Sequence, residues 1–347
     1  MILLFHFNNT GVIKMNILKT CLAVSGTIII ELIIIFLFFG CFSPGSYEQT
    51  VIYGRLDKIP PGAEKITPRT DTSQPVLINE SWASPVPLSD TINSAGLEDS
   101  PFILPEGDEL YFFYTPDAKI PPEKQLTDGV TGIYYSEKHN DEWSEPVRIS
   151  LQEKGKLSLD GCQFINGNIM WFCSAREGNF RDIDIYKAEL KNGNWSNWEN
   201  AGKLLNVEYE IGELHLTSDG KELYFHSDRS GGRGGLDIWV TENTDGNWQE
   251  PRNLKDINSE ESEGWPFISQ DKQELWFTRT YKGTPAIFRS IKLNDGTWSE
   301  PELILYQFAG EPSLDKYGNI YFVHHYYHDK IMLESDIYIA PLSVKSN

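Results

Sequence analysis

The 347-residue sequence predicts an all-β fold, a five-bladed β-propeller of four-stranded antiparallel blades, because three short markers recur in a fixed order along the chain. One marker is Trp82-Ala-Ser-Pro85, Trp143-Ser-Glu-Pro146, Trp248-Gln-Glu-Pro251 and Trp298-Ser-Glu-Pro301, with Trp195-Ser-Asn-Trp198 as a fifth copy in which Trp replaces Pro. Another is Glu109-Leu-Tyr-Phe112, Asn168-Ile-Met-Trp171, Glu222-Leu-Tyr-Phe225, Glu274-Leu-Trp-Phe277 and Asn319-Ile-Tyr-Phe322. The last is Gly132-Ile-Tyr-Tyr135, Asp184-Ile-Tyr-Lys187, Asp237-Ile-Trp-Val240, Ala286-Ile-Phe-Arg289 and Asp336-Ile-Tyr-Ile339, whose isoleucines fall about 50 residues apart.

Each unit reads as four short strands rich in aromatic and β-branched residues, bounded by turn residues. Asn192-Gly193, Asp219-Gly220 and Asp295-Gly296 supply the turns. A four-stranded unit at this period is a propeller blade. The Pro of Trp-x-x-Pro falls in the fourth strand, at the outer edge, where a missing N–H costs no ladder bond. The repeat region, residues 81–343, opens with a lone fourth-strand motif from Trp82 to Leu88 and closes after a third strand ending near Leu342. The earliest strand is therefore expected to complete the last blade and shut the ring.

Ahead of the repeats, Thr20 to Gly40 is apolar apart from Glu31 and is preceded by Lys14 and Lys19. A basic start followed by such a run is a signal peptide or signal anchor, and its length suffices to span a bilayer. The run ends Leu37-Phe-Phe-Gly-Cys41 before a Ser/Pro/Gly stretch, which resembles a bacterial lipoprotein box with Cys41 as the lipidated residue. Phe38 and Phe39 depart from that box, so a lipoprotein signal, an uncleaved anchor and plain secretion all stand, as do Met1 and Met15 as starts. All three readings of residues 1–41 export the remaining chain to the periplasm or cell surface. Residues 42–80 carry scattered Pro and Gly and read as a partly extended tether, and residues 344–347 as a tail.

The formal charge is −20, from 50 acidic and 30 basic residues. Setting aside Lys14, Lys19 and Glu31 of the leader leaves 28 basic against 49 acidic residues. Such a surface repels phosphate backbones and excludes nucleic acid as a partner. It suits solubility, and it suits cationic ligands, divalent cations or basic protein surfaces. Two of the four cysteines lie in the leader. Cys162 and Cys173 flank the hairpin dipeptide Asn166-Gly167, in a register that places Cys162 opposite Trp171 and predicts two buried thiols.

Glu222-Leu-Tyr-Phe-His-Ser-Asp-Arg-Ser-Gly-Gly-Arg-Gly-Gly-Leu-Asp-Ile-Trp-Val240 resembles the TolB-like, WD-type β-propeller repeat. The version found beside peptidoglycan-associated (OmpA-linked) domains of bacterial envelope proteins is the more similar one. Ile92-Asn-Ser94 and Ile257-Asn-Ser259, each reaching a Glu (Glu98, Glu263) at the same spacing, belong to that pattern. The resemblance covers about residues 80 to 343 and implies a binding scaffold at the envelope, for a protein, peptide or glycan, with no cofactor.

Acids recur where each first strand begins: Glu98 with Asp99, Asp160, Glu213, Glu263 and Glu311. They precede the second-strand Leu or Ile by 9 to 12 residues. Arg176, Arg229 and, shifted by two, Arg279 end the second strands. Glu98, Glu213, Glu263, Glu311, Arg176, Arg229 and Arg279 are thus expected around the channel mouth, either as blade-to-blade ion pairs or as a binding ring. The alternative is a glycan-active enzyme of the five-bladed glycosidase type, using Asp99, Asp160 and Glu213, since glycoside cleavage needs two carboxylates. The Gly-rich loop Gly231–Gly235 reads as a tight turn. His324, His325 and His328 read as exposed strand-end residues, with no metal site, because adjacent strand residues point to opposite faces.

Overall fold

The computed structural model describes residues 53–343; the expected leader with Cys41 and the tail lie outside the described residues. In each repeat the strand of the Leu-Tyr-Phe marker pairs antiparallel with the strand of the Ile marker, and a meander forms around that pair. The first meander is Leu97–Ile103, Glu109–Thr115 and Gly132–His139, with an outer strand in two pieces, Glu142–Trp143 and Val147–Arg148. The second is Ser158–Asn166, Ile169–Arg176, Asp184–Lys191 and Asn194–Asn200. The third is Leu214–Leu216, Glu222–Ser227 and Asp237–Thr244, again with a divided outer strand, Asn247–Trp248 and Arg252–Asn253. The fourth is Glu263–Ile268, Glu274–Tyr281, Thr284–Ile291 and Glu302–Tyr306. The fifth is Ala309–Leu314, Ile320–His328 and Ile331–Ala340.

Val86–Pro87 pairs with the last strand of the fifth meander, Val86 opposite Ile339 and Pro87 opposite Tyr338, and Trp82 bridges Leu342. The innermost strands touch in sequence order, first to second through fourth to fifth, and the fifth touches the first. A single parallel pair, Ser335 with Leu97, joins the last sheet to the first. The fold is all-β and of propeller type.

Strand alternation turns the repeated aromatics between neighbouring sheets. Phe112, Tyr114 and Leu110 of the first meander pack with Tyr321 and Ile337 of the fifth. Tyr224 and Ile238 of the third meet Leu275, Phe277 and Phe288 of the fourth. Each fully buried side chain of this kind contributes roughly 1.5–3 kcal/mol relative to exposure, which no sheet alone could gain on both faces. Trp82 is buried, stands edge-on to Trp276 at 5.5 Å and donates its indole N–H to Gly318 O at 2.8 Å.

The prolines act differently from the sequence expectation of one edge strand. Pro146 and Pro251 fall in the gaps between the two pieces of the divided outer strands. Pro301 likewise separates the Trp298–Lys292 bridge from strand Glu302–Tyr306. Where Trp198 replaces Pro, the outer strand Asn194–Asn200 runs unbroken. The missing proline N–H and its fixed φ account for the difference.

Residues 53–80, the described part of the expected tether, run along the domain and are fastened to it. Arg55, in a 3-10 turn at Arg55–Lys58, reaches Glu98. Lys65 meets Glu334 and Asp336, and Asp71 Oδ2 lies 3.1 Å from His324 Nε2. Val76–Leu77 then adds to Glu302–Tyr306 as a fifth strand at the edge of the fourth meander. These contacts are specific matches to distant residues, which composition and periodicity do not display.

The hairpin at Asn166-Gly167 forms, but Cys162 does not face Trp171. Phe164 faces Trp171, Gly161 faces Cys173, and the bulge between them leaves Cys162 at φ 51°. Both thiols are free and buried.

Candidate functional site

Four of the five inner strands share a bulge that sets which side chains line the axis. The register slips between Asp99 and Phe102, Gly161 and Phe164, Gly264 and Phe267, and Gly310 and Ser313. The extra residue adopts positive φ at Ser100 (48°), Cys162 (51°), Trp265 (51°) and Glu311 (56°). A bulge with a left-handed residue bends the strand and re-aims its side chain.

Counted back from the strand-end residues Ile103, Ile165, Leu216, Ile268 and Leu314, each paired with the second strand, the recurrent acids fall into two classes. Glu98, Asp160 and Glu263 share one position, and Glu213 and Glu311 lie two residues nearer the strand end. The hairpins between first and second strands differ in length, so spacing measured across them blurred this distinction.

The first class is occupied by ion pairing within or beside one meander, not between blades. Asp160 Oδ1 accepts bonds from Arg176 Nη2 at 2.7 Å and Ser174 Oγ at 2.6 Å, and its Oδ2 accepts one from Ser158 Oγ at 2.7 Å. Glu263 Oε1 accepts Arg279 Nε at 2.7 Å. Glu98 pairs with Arg55 from the strap, Nη1 to Oε1 at 3.1 Å, because Tyr114 stands across from it where Arg279 stands across from Glu263. Each guanidinium also donates to backbone carbonyl oxygen: Arg176 to Leu151 O, Arg279 to Ile257 O, and Arg55 to both Ile92 O and Thr91 O. Each lies over an aromatic ring, Arg55 over Tyr114 at 5.4 Å, Arg176 over Tyr186 at 4.5 Å and Arg279 over Phe288 at 4.8 Å. Burial pushes the Glu98 carboxyl up to about 7, against the pull of Arg55.

This arrangement explains the Ile-Asn-Ser…Glu motif. The Ile carbonyl receives the guanidinium. Asn93 and Asn258 clamp the N–H and C=O of Ile337 and Ile238, on the third strand of the preceding meander. Ser94 and Ser259 donate to Glu98 and Glu263. Arg229 departs from the expectation: it reaches the exposed Glu250 at 2.9 Å rather than Glu213. The Gly231–Gly235 loop wraps Asp237, which accepts from Arg233 N–H and Gly234 N–H. Only Gly231 has positive φ there, 96°; Gly234 is required by close approach, since a Cβ would lie 1.7 Å from Glu261 O.

The second class faces the axis. A cavity of about 50 Å³ is lined by Ser100, Cys162, Glu213, Trp265 and Glu311 and by the two residues after each. Within that lining, Phe102, Phe164, His215 and Phe267 form an aromatic collar, with centroids 5.2 Å (Phe102–Phe164), 4.3 Å (Phe164–His215) and 4.5 Å (His215–Phe267) apart. Burial raises the carboxyls of Glu213 and Glu311, and the charge of Asp99 adds to both shifts. Asp99 is buried beside them, one residue before the bulge.

His324 and His325 are buried, not exposed at a strand end, and only His328 is exposed. The strap covers His324 through Asp71, and His325 turns toward the junction of the first and fifth meanders, Nε2 3.6 Å from Asp99 Oδ1. Arg55 went unread in the sequence, and His325 was read as an exposed strand-end residue. The signal for His325 lies in comparing repeats, where Thr115, Ala175, Asp228 and Thr280 hold the corresponding place.

The described residues thus define a propeller-type all-β protein with a narrow, carboxylate-bearing axis. No family model matches the chain, and no curated protein matches it. Solved structures do resemble it. TolB from Acinetobacter baumannii superposes with a TM-score of 0.41 at 14% identity, over 72% of this chain and 56% of that one. An endo-arabinase from Bacteroides thetaiotaomicron VPI-5482 gives 0.48 at 15% identity, over 75% of this chain and 99% of that one. The catalytic domain of the Coprinopsis cinerea GH62 α-L-arabinofuranosidase gives 0.48 at 10%, over 76% and 97%. No helix among the described residues is long and apolar enough to cross a membrane.

Proposed function

We propose that the chain is a membrane-tethered, extracytoplasmic five-bladed β-propeller, closed by its earliest strand, that serves as a non-catalytic binding or scaffold module at the cell envelope. The five meanders, the cyclic contacts of their inner strands and the pairing of Val86–Pro87 with the last meander support the five-blade ring. The basic-then-apolar leader with Cys41 supports the tether. The acidic balance favours a partner with a basic surface, whether protein, peptide or a cationic glycan.

The observation that carries the non-catalytic reading is the saturation of Asp160 by Arg176, Ser174 and Ser158. It removes one of the three carboxylates a glycosidase of this shape would use. The axial cavity of about 50 Å³ is also far below the roughly 300–1,000 Å³ of ligand pockets.

The purified full chain tests this. Aryl-glycosides of the common pentoses and hexoses should show no turnover, while crosslinking in native envelope membranes should yield a saturable partner. Glycoside turnover that disappears in Asp99→Asn and Glu213→Gln would overturn the proposal in favour of an enzyme.

A further inference from the structure

The repeats give a baseline against which individual side chains stand out. One residue before the bulge, the second to fifth meanders carry Gly161, Gly212, Gly264 and Gly310. The space there is small: a Cβ on Gly212 would lie 2.3 Å from the His226 ring, and one on Gly310 would lie 3.2 Å from Thr278 Oγ1. The first meander places Asp99 at that position. At the next position Ser100, Cys162 and Trp265 show that the fold needs no carboxylate, yet the third and fifth meanders have Glu213 and Glu311, and of these two Glu311 groups with Asp99 and His325. His325 stands where other meanders carry Thr115, Ala175, Asp228 and Thr280.

These three departures meet at one junction. One ligand atom from each of Asp99, Glu311 and His325 lies within 4.8 Å of the others, and all three residues are buried. His325 is 2% exposed, and neither ring nitrogen has a hydrogen-bond partner among the described residues. An imidazole left unsatisfied in the interior bears a desolvation cost that a bound ligand would offset. Its Nε2 stands 3.6 Å from Asp99 Oδ1. Two ligand atoms bound at about 2.1 Å to a tetrahedral ion are about 3.4 Å apart.

We propose that Asp99, Glu311 and His325 form a site for a first-row divalent cation of the Zn²⁺ or Mn²⁺ kind, joining the first and fifth meanders. The donor set selects the class: neutral imidazole suits first-row transition cations, whereas Ca²⁺ and Mg²⁺ take all-oxygen shells. Glu311 also borders the axial cavity of about 50 Å³, which has room for a water ligand to such a cation. The site spans the two ends of the repeat region, so the cation adds a bond between the first and last sheets. It is independent of what the propeller binds.

The test uses the full chain purified in detergent, stripped with EDTA and titrated calorimetrically with ZnCl₂, MnCl₂, CaCl₂ or MgCl₂. One equivalent of Zn²⁺ or Mn²⁺ should bind, with Ca²⁺ and Mg²⁺ at least ten-fold weaker. His325→Gln and Glu311→Gln should each lower affinity at least ten-fold, and the exposed His328→Gln should leave it unchanged. Loss of binding in His328→Gln, or retention in His325→Gln, overturns the proposal. Anomalous scattering from Mn²⁺- or Zn²⁺-soaked wild-type crystals needs no variant. A peak among the three side chains supports the site; binding elsewhere, or none, overturns it.

Discussion

Arg55 Nη1 lies 3.1 Å from Glu98 Oε1, and with this contact a residue ahead of the repeats supplies a guanidinium that the second and fourth meanders draw from their own second strands. The side chains are 3% and 0% exposed. Removing one member of such a buried pair leaves the other charge without compensation. Arg55→Ala should therefore cost about 3–5 kcal/mol, read as a shift in the urea midpoint. The double variant Arg55→Met/Glu98→Gln should recover part of that loss. A single variant as stable as wild type would show that the strap is incidental to the fold.

His215 occupies the place held by Phe102, Phe164 and Phe267 in other meanders, and burial lowers its pKa from 6.5 to about 3. Between those values the unfolded chain holds a proton that the native imidazole does not, so this residue removes stability as pH falls below about 6.5. Its N–H and aromatic neighbours offer no charge to offset the effect: Nδ1 faces Ile268 N–H at 3.4 Å, and the ring faces three phenylalanines. In His215→Phe the stability lost between pH 7.5 and pH 5 should shrink by about 2 kcal/mol. Denaturant curves at the two pH values check this, and an unchanged loss would refute a neutral native His215.

Deleting residues 81–90 should lower the urea midpoint of the whole domain in a single transition, because Val86–Pro87 and Trp82 pair with the last meander. Asn93→Ala should cost about 1–3 kcal/mol, since Ile337 N–H loses its Asn93 partner while Ile337 O keeps the Leu88 N–H at 2.9 Å. A deletion variant with the wild-type midpoint would mean that the earliest strand seals nothing.

Cys162 and Cys173 are 9% and 5% exposed, and burial raises the Cys162 thiol well above its ordinary value. Both should resist iodoacetamide in the native protein at pH 8 and label fully in concentrated urea, as mapped by peptide mass spectrometry. Rapid native labelling of either would contradict the packing of the second meander.

The repeated markers made the meanders legible, because Leu-Tyr-Phe and Ile-aromatic runs must alternate between two buried faces wherever they recur. Arg176 with Asp160 and Arg279 with Glu263 were visible as acids and bases in matching places. What stayed hidden had no local signature. The bulge at Ser100, Cys162 and Trp265 uses ordinary residues at positive φ, so no glycine announced it. Missing that bulge merged Glu213 and Glu311 with Glu98, although they point to the axis. Arg55, Lys65 and Asp71 sit in a segment without periodicity, and their partners lie 43 to 271 positions away in the chain. His324 and His325 were read from strand position alone, which cannot reveal that a strap covers one and a neighbouring sheet the other.

The unbroken strand Asn194–Asn200 has a counterpart in vulnerability. Elsewhere among the described sheets the outward row of peptide groups is interrupted by a proline gap or covered by Val76–Leu77. On the second sheet Asn194–Asn200 has no proline gap, only a bulge at Asn197-Trp198, and alternate residues along it turn their peptide groups outward. An extended segment from another molecule would find its longest template there, so the loss of one proline from the repeat marks where this protein would first recruit a foreign strand.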